Sequence, residues 1–140
     1  MAIKFRTYQA EIIAKATDIL YKNKLLYLAM EVRTGKTLTS LGICDNLPVN
    51  NVLFITKKKA ISSIENDYDL LSPDFYLQVI NYESLHKIKK RGWDVIISDE
   101  AHSMGAFPKP SKRAKQVKEL LQINSPYYIL LSGTPTPESY

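Results

Sequence analysis

The sequence predicts an α/β fold of three layers, with a mainly parallel central sheet of about five strands flanked by helices. Three observations predict it. Short apolar runs alternate along the chain with longer stretches whose apolar residues recur at helical spacing. Those runs are continuously apolar, as strands covered on both faces are. The polar signatures follow the ends of the runs, after Met30, Ile55, Ile97 and Leu131, and ligands of parallel sheets bind at the carboxyl ends of the strands.

Each element has its own reason. Over residues 7–21, Tyr8, Ile12, Ala16, Ile19 and Leu20 fall at helical spacing. The run LLYLAM over 25–30 reads as a strand, and 36–47 as a helix closed by Pro48. NVLFIT over 51–56 is a second buried strand, followed by a helical stretch over about 58–70. Ser72-Pro73-Asp74 breaks the chain, and 75–80 is a third strand. A short helix over about 83–88 leads to Gly92, and 93–98 is the fourth strand. Ser111 is placed to cap a helix over 112–123, with Ala114, Val117, Leu120 and Leu121 on one face. YYILL over 127–131 is the fifth strand.

The 140 residues suit one domain, and 45% apolar with 24% charged residues is an ordinary globular balance. No apolar run approaches the roughly 18–20 residues of a membrane span, and the amino terminus has no secretory pattern. No membrane partner is therefore expected. Cys44, the sole cysteine, lies in an apolar helical pattern and is expected as a core filler in a reducing, cytoplasmic compartment. The net charge is +5, and twelve of the nineteen Lys and Arg residues fall in three segments, 57–59, 87–91 and 109–118. Any one segment is as well explained by solubilising charge. Three of them in a chain that also carries Gly35-Lys36-Thr37 favour a polyanion partner.

Two segments carry the chemistry. The first is Met30-Glu31-Val32-Arg33-Thr34-Gly35-Lys36-Thr37, which ends as a phosphate-binding loop does. Gly35 permits close backbone approach, Lys36 reaches the outer phosphates and Thr37 ligates magnesium. Gly-Lys-Thr alone is a weak signal, and Met30 stands where the usual pattern has its first glycine. The second is WDVIISDEAHSM over 93–104, where an apolar strand ends in adjacent carboxylates. Asp99 is placed to hold magnesium through its hydration shell, and Glu100 to orient or deprotonate a water attacking the phosphate. A bare cap on the next segment would also use such residues, and a small kinase would share the loop.

In their order along the chain these segments resemble the first RecA-like domain of a superfamily-two helicase or translocase, a P-loop NTPase fold, over essentially all 140 residues. Phe5-Arg6-Thr7-Tyr8-Gln9 resembles the Q motif, residues 30–37 motif I, and 52–59 motif Ia. Ile80-Asn81-Tyr82-Glu83-Ser84-Leu85 resembles motif Ib of the Swi/Snf-like branch. Asp99-Glu100-Ala101-His102 is motif II in its DEAH spelling, and Leu131-Ser132-Gly133-Thr134-Pro135 resembles motif III.

The resemblance implies ATP and Mg2+. It implies that Gln9 reads the adenine edge, with Arg6 beside the base, and that Arg33, Thr34, Gly35, Lys36 and Thr37 meet the phosphates. It implies a nucleic-acid partner, preferably double-stranded DNA, gripped by Thr56, Lys57, Lys58, Asn81 and Tyr82. His102, Ser132 and Thr134 would couple the nucleotide to the nucleic-acid groove, although Ser-Gly-Thr-Pro is also an effective turn. Arg33 stands where the family usually has glycine; intact Gly35, Lys36 and Thr37 predict that binding survives. Loops reading M-E-x-R-T-G-K occur in viral and mobile-element members, for which the compartment would be a host cytoplasm. Helicases of this group place a second RecA-like domain, with motifs IV to VI and an arginine finger, after motif III. The finger is worth on the order of 10³–10⁵ in rate. A fragment or excised domain is thus expected, binding ATP weakly and hydrolysing it slowly. A module that binds without hydrolysing is the alternative, opposed by Lys36, Asp99 and Glu100.

Overall fold

The computed structural model describes residues 7–29, 35–99 and 112–132. The elements run α1 (Thr7–Asn23), β1 (Leu25–Ala29), α2 (Lys36–Asp45), β2 (Asn51–Thr56), α3 (Ile61–Leu71), β3 (Tyr76–Asn81), β4 (Val95–Ser98), α4 (Lys112–Asn124) and β5 (Tyr127–Ser132). Two short 3₁₀ turns, Lys58–Ala60 and Tyr82–Lys87, precede α3 and follow β3. The five strands form one sheet in the order β1-β5-β4-β2-β3, with every pair parallel.

Alternate residues of each continuously apolar strand serve opposite faces. Val52, Phe54, Val95 and Ile97 join Ile13, Leu20, Leu41, Ile43, Ile64 and Leu71 in a core against α1, α2 and α3. Leu53, Ile55 and Ile96 join Tyr82, Leu85, Trp93, Val117 and Leu120 on the other side, against α4 and the second 3₁₀ turn. This is the expected three-layer arrangement.

Three sequence expectations need adjustment. The buried face of α1 runs through Gln9, Ile13, Ala16 and Leu20, while Ile19 is exposed. A core stripe at 9, 13, 16 and 20 leaves position 19 on the flank of the helix. The run at 25–30 is not covered on both faces among the described residues. Leu26 and Leu28 are buried but Leu25 and Tyr27 are half exposed, because β1 lies at the sheet's edge. The helix expected over 58–70 is interrupted at its start, a 3₁₀ turn of Lys58–Ala60 leading into α3. Cys44 is fully buried and unpaired, and burial pushes its thiol far above the ordinary range.

The amino ends of the strands are tied together by side chains. Asp94 Oδ2 accepts from the backbone N–H groups of Asn50 and Asn51 at 2.9 and 3.0 Å, joining the starts of β4 and β2. Asn124, ending α4, accepts from Trp93 N at 3.1 Å and donates to Lys90 O at 2.7 Å. These bonds secure the end of the sheet opposite the polar signatures.

Candidate nucleotide-binding site

At the carboxyl ends of the strands, β2 and β4 bring two polar side chains side by side. Ile55 pairs with Ser98, and the ladder continues one step as Asp99 N donates to Ile55 O at 2.8 Å. That step sets Asp99 next to Thr56, whose Oγ1 donates to Asp99 Oδ2 at 2.9 Å. Both residues are buried. From the second 3₁₀ turn, Tyr82 donates its hydroxyl to the carbonyl of Asp99 at 2.7 Å. Backbone and side chain of Asp99 are thus held from two neighbouring segments.

Opposite this carboxylate stands the start of α2. Gly35 precedes the helix at φ 76°, ψ 38°, a left-handed conformation that glycine adopts without a Cβ penalty. A Cβ there would also run into the Gln9 side chain, which lies against Gly35. The turn delivers Lys36 to the cavity side, where its Nζ lies 3.0 Å from Asp99 Oδ1 with both side chains buried. The two charges neutralise each other in a place where neither alone would be tolerated cheaply.

A cavity of about 270 Å³ opens beside this pair. Gly35, Lys36, Thr37 and Asp99 line one side, and Lys57, Ala60, Ser63, Ile64 and Asp67 the other. The donor set suits a polyphosphate carrying a divalent cation. A ten-residue helix opens at its amino end on a glycine, a lysine lies within reach, and Thr37 and Asp99 supply hard oxygens. Burial raises the Asp67 carboxyl above its usual value.

Of the residues singled out from the sequence, Gly35, Lys36, Thr37 and Asp99 come together at this cavity. Gln9, near the amino end of α1, is buried and packs on Gly35. Arg6, Arg33, Thr34, Glu100, His102 and Thr134 lie outside the described residues, as does the side chain of Ser132, whose backbone ends β5 beside Ala29.

Two of the residues expected at the nucleic acid have buried side chains. Thr56 is wholly buried and its hydroxyl donates to Asp99 Oδ2 beside the cavity. Tyr82 is 3% exposed and its hydroxyl is engaged by the Asp99 carbonyl. Alternation along β2 puts Thr56 on the face of Val52 and Phe54, and Tyr82 packs with Leu53 and Ile55 on the other face. Lys57 and Lys58 are exposed, and Lys57 also lines the cavity. Asn81 is half-buried and donates to Glu83 Oε1 at 3.1 Å.

Ser63 and Asp67 were not anticipated. A signal for them existed: Ala60, Ser63, Ile64 and Asp67 share one helical face. Two polar residues on a face that otherwise carries Ile64 and Leu71 mark where that face leaves the core for a cavity.

A family model described as SNF2-related domain matches residues 49–140, and one described as Type III restriction enzyme, res subunit, matches residues 2–73. ATP-dependent helicase fft2 of Schizosaccharomyces pombe is 30% identical over 78 residues, covering 56% of this chain and 6% of that protein. The Sulfolobus solfataricus SWI2/SNF2 ATPase core in complex with dsDNA matches with a TM-score of 0.76 at 20% identity, over 96% of this chain and 33% of that one. The UvsW helicase from bacteriophage T4 matches with a TM-score of 0.66 at 13% identity, over 94% of this chain and 53% of that one. At these identities the structural likeness speaks for the fold. The chain spans a small part of the curated relative and a third of the SWI2/SNF2 core. Each half of the sequence thus meets a helicase family model, and the chain belongs to the SNF2-related helicase family, with the fold of its N-terminal RecA-like domain.

Proposed function

We propose that this chain is the ATP-binding and hydrolysing half of a nucleic-acid motor, with double-stranded DNA as its preferred track. The observation that carries the reading is the buried Lys36–Asp99 pair beside a cavity at the carboxyl ends of the strands. A structural ion pair would have no need of a left-handed glycine and a helix amino end next to it. A phosphate site needs both.

In this reading Gln9 and Arg6 serve the adenine, and Arg33, Thr34, Gly35, Lys36 and Thr37 the phosphates. Lys36 leaves Asp99 for the outer phosphates, exchanging one anion for another. Magnesium, when bound, draws charge from the outer phosphates, and Thr37 and Asp99 are the residues that would hold it. Glu100 orients the attacking water and accepts its proton. Lys57, Lys58 and Asn81, at the ends of β2 and β3, meet the phosphates of the nucleic acid. His102, Ser132 and Thr134 connect the two ligands. A second RecA-like domain supplies the arginine that completes the site, so the 140 residues alone turn over slowly. The DNA-bound state of the S. solfataricus core supports duplex DNA as the partner.

The test is ATP binding and turnover, with and without Mg2+ and linear duplex DNA, for the wild type, Lys36→Ala and Glu100→Gln. Lys36→Ala should weaken ATP binding at least tenfold. Glu100→Gln should bind normally but lose on the order of 10²-fold in turnover, measured with the second domain present. DNA affinity should fall steeply with salt. Equal ATP affinity in wild type and Lys36→Ala would refute the site. ATP binding without turnover in the completed protein would identify a nucleotide-gated binding module instead.

A further inference from the structure

Thr56 is the last residue of β2, after four buried apolar positions, Val52 to Ile55. Valine would fill the same space and suit the strand equally well. A wholly buried hydroxyl costs desolvation unless it is bonded, and here the bond goes to Asp99 Oδ2 at 2.9 Å. Lys36 faces the other oxygen, Oδ1, at 3.0 Å. The two donors thus fix the rotation of the carboxylate, one on each oxygen. They differ in permanence: Lys36 is a long side chain at the cavity, whereas Thr56 is a short one in the body of the sheet.

We propose that Thr56 is a positioning residue for Asp99, holding Oδ2 so that Oδ1 stays turned to the cavity when Lys36 moves to the phosphates. Its effect falls on the affinity for Mg2+ with nucleotide, and it explains why a threonine ends an otherwise apolar strand. The inference rests on the proposed role of Asp99 at the nucleotide's cation. A threonine kept only to fill space would do nothing at Asp99 that valine could not.

The experiment compares binding of a fluorescent ATP analogue to the 140-residue chain across a Mg2+ titration, for wild type, Thr56→Val, Thr56→Ser and Asp99→Asn. Thermal melts of each are run in parallel. Thr56→Val should raise the half-saturating Mg2+ about tenfold, equivalent to about 1.4 kcal/mol. Thr56→Ser, which keeps the hydroxyl, should return to within about twofold of wild type. If Thr56→Val fails to fold, Thr56→Ala is the substitute and should show the same rise. Unchanged Mg2+ dependence in Thr56→Val or Thr56→Ala, with Asp99→Asn impaired, would overturn the role of Thr56 and leave that of Asp99 intact. A rise in Thr56→Ser equal to that in Thr56→Val would also overturn it, since packing and not the hydroxyl would be responsible. If neither Thr56→Val nor Asp99→Asn alters the Mg2+ dependence, the reading of Asp99 fails, and the role of Thr56 with it.

Discussion

Replacing Lys36 by methionine removes a charge while keeping most of the buried aliphatic stem. The charges of Lys36 and Asp99 lie 3.0 Å apart, with side chains 9% and 7% exposed. At an effective dielectric of about 20, their gross attraction is roughly 5 kcal/mol. Desolvation of two ions offsets much of that, so the pair is a modest net contributor. Removing one partner is a different matter, because the other charge stays buried. The cost of that is about 3–5 kcal/mol. We expect Lys36→Met to lose about 3 kcal/mol, roughly a 10 °C fall in Tm for a domain of this size. Asp99→Asn should also destabilise, since it leaves the Lys36 ammonium buried. The double variant should be less destabilised than the sum of the two by about 2 kcal/mol, a coupling that marks a direct interaction. Urea unfolding followed by tryptophan fluorescence is a suitable assay, because Trp93 is the sole tryptophan and is 3% exposed. Additivity within about 0.5 kcal/mol, or a Lys36→Met variant as stable as wild type, would refute the reasoning.

Asp67 gives a pH dependence. Burial raises its carboxyl in the fold, so the folded state holds the proton more tightly than the unfolded one. Its contribution is therefore most favourable below the unfolded value of about 3.8 and is lost as the pH rises through the folded value. Asp67→Asn should raise Tm slightly at pH 7, with the gain fading as the pH falls towards 4; melts across pH 4–8 check this, and a gain that grows towards pH 4 would contradict it. Thr39 is wholly buried in α2 and its hydroxyl has no hydrogen-bond partner among the described residues. Thr39→Val should stabilise the protein by about 1 kcal/mol in urea unfolding, and a loss of stability would show that the hydroxyl is satisfied.

Much of the fold was legible because its strongest signals are local and redundant. β2 was readable to the residue, since NVLFIT is apolar on both faces and bounded by Asn50 and Lys57. β1 was readable as a strand but not as an edge strand, since an apolar run does not announce how many neighbours it will have. Ile12 was rightly read into the stripe of α1 and packs on the core, but Ile19 was not, since the choice of face depends on which residues β1, β5 and α2 present to the helix. At the candidate site, Gly35, Lys36, Thr37 and Asp99 were legible because a phosphate and cation site calls for those residue types at a helix start and a strand end. Thr56 and Tyr82 were legible as residues at the strand ends, but their burial was not. Only the parallel register that sets Ile55 beside Ser98 shows that Thr56 must meet Asp99.

That register has an energetic consequence for ligand entry. Lys36 and Asp99 pair at 3.0 Å, so neither charge is buried alone. In the proposed site an incoming triphosphate would compete with Asp99 for Lys36 and leave the carboxylate at the cavity without that cationic partner. A carboxylate there that keeps the Thr56 hydroxyl but loses the Lys36 charge is costly, and a divalent cation entering with the phosphates would offset that cost. ATP and Mg2+ should consequently bind with positive coupling, each tightening the other by the same factor. The factor should collapse in Asp99→Asn, where losing Lys36 strands no charge. Calorimetric titrations of ATP at low and saturating Mg2+ measure it directly. Equal coupling in wild type and Asp99→Asn would show that the pair seen in the fold plays no part in how the site fills.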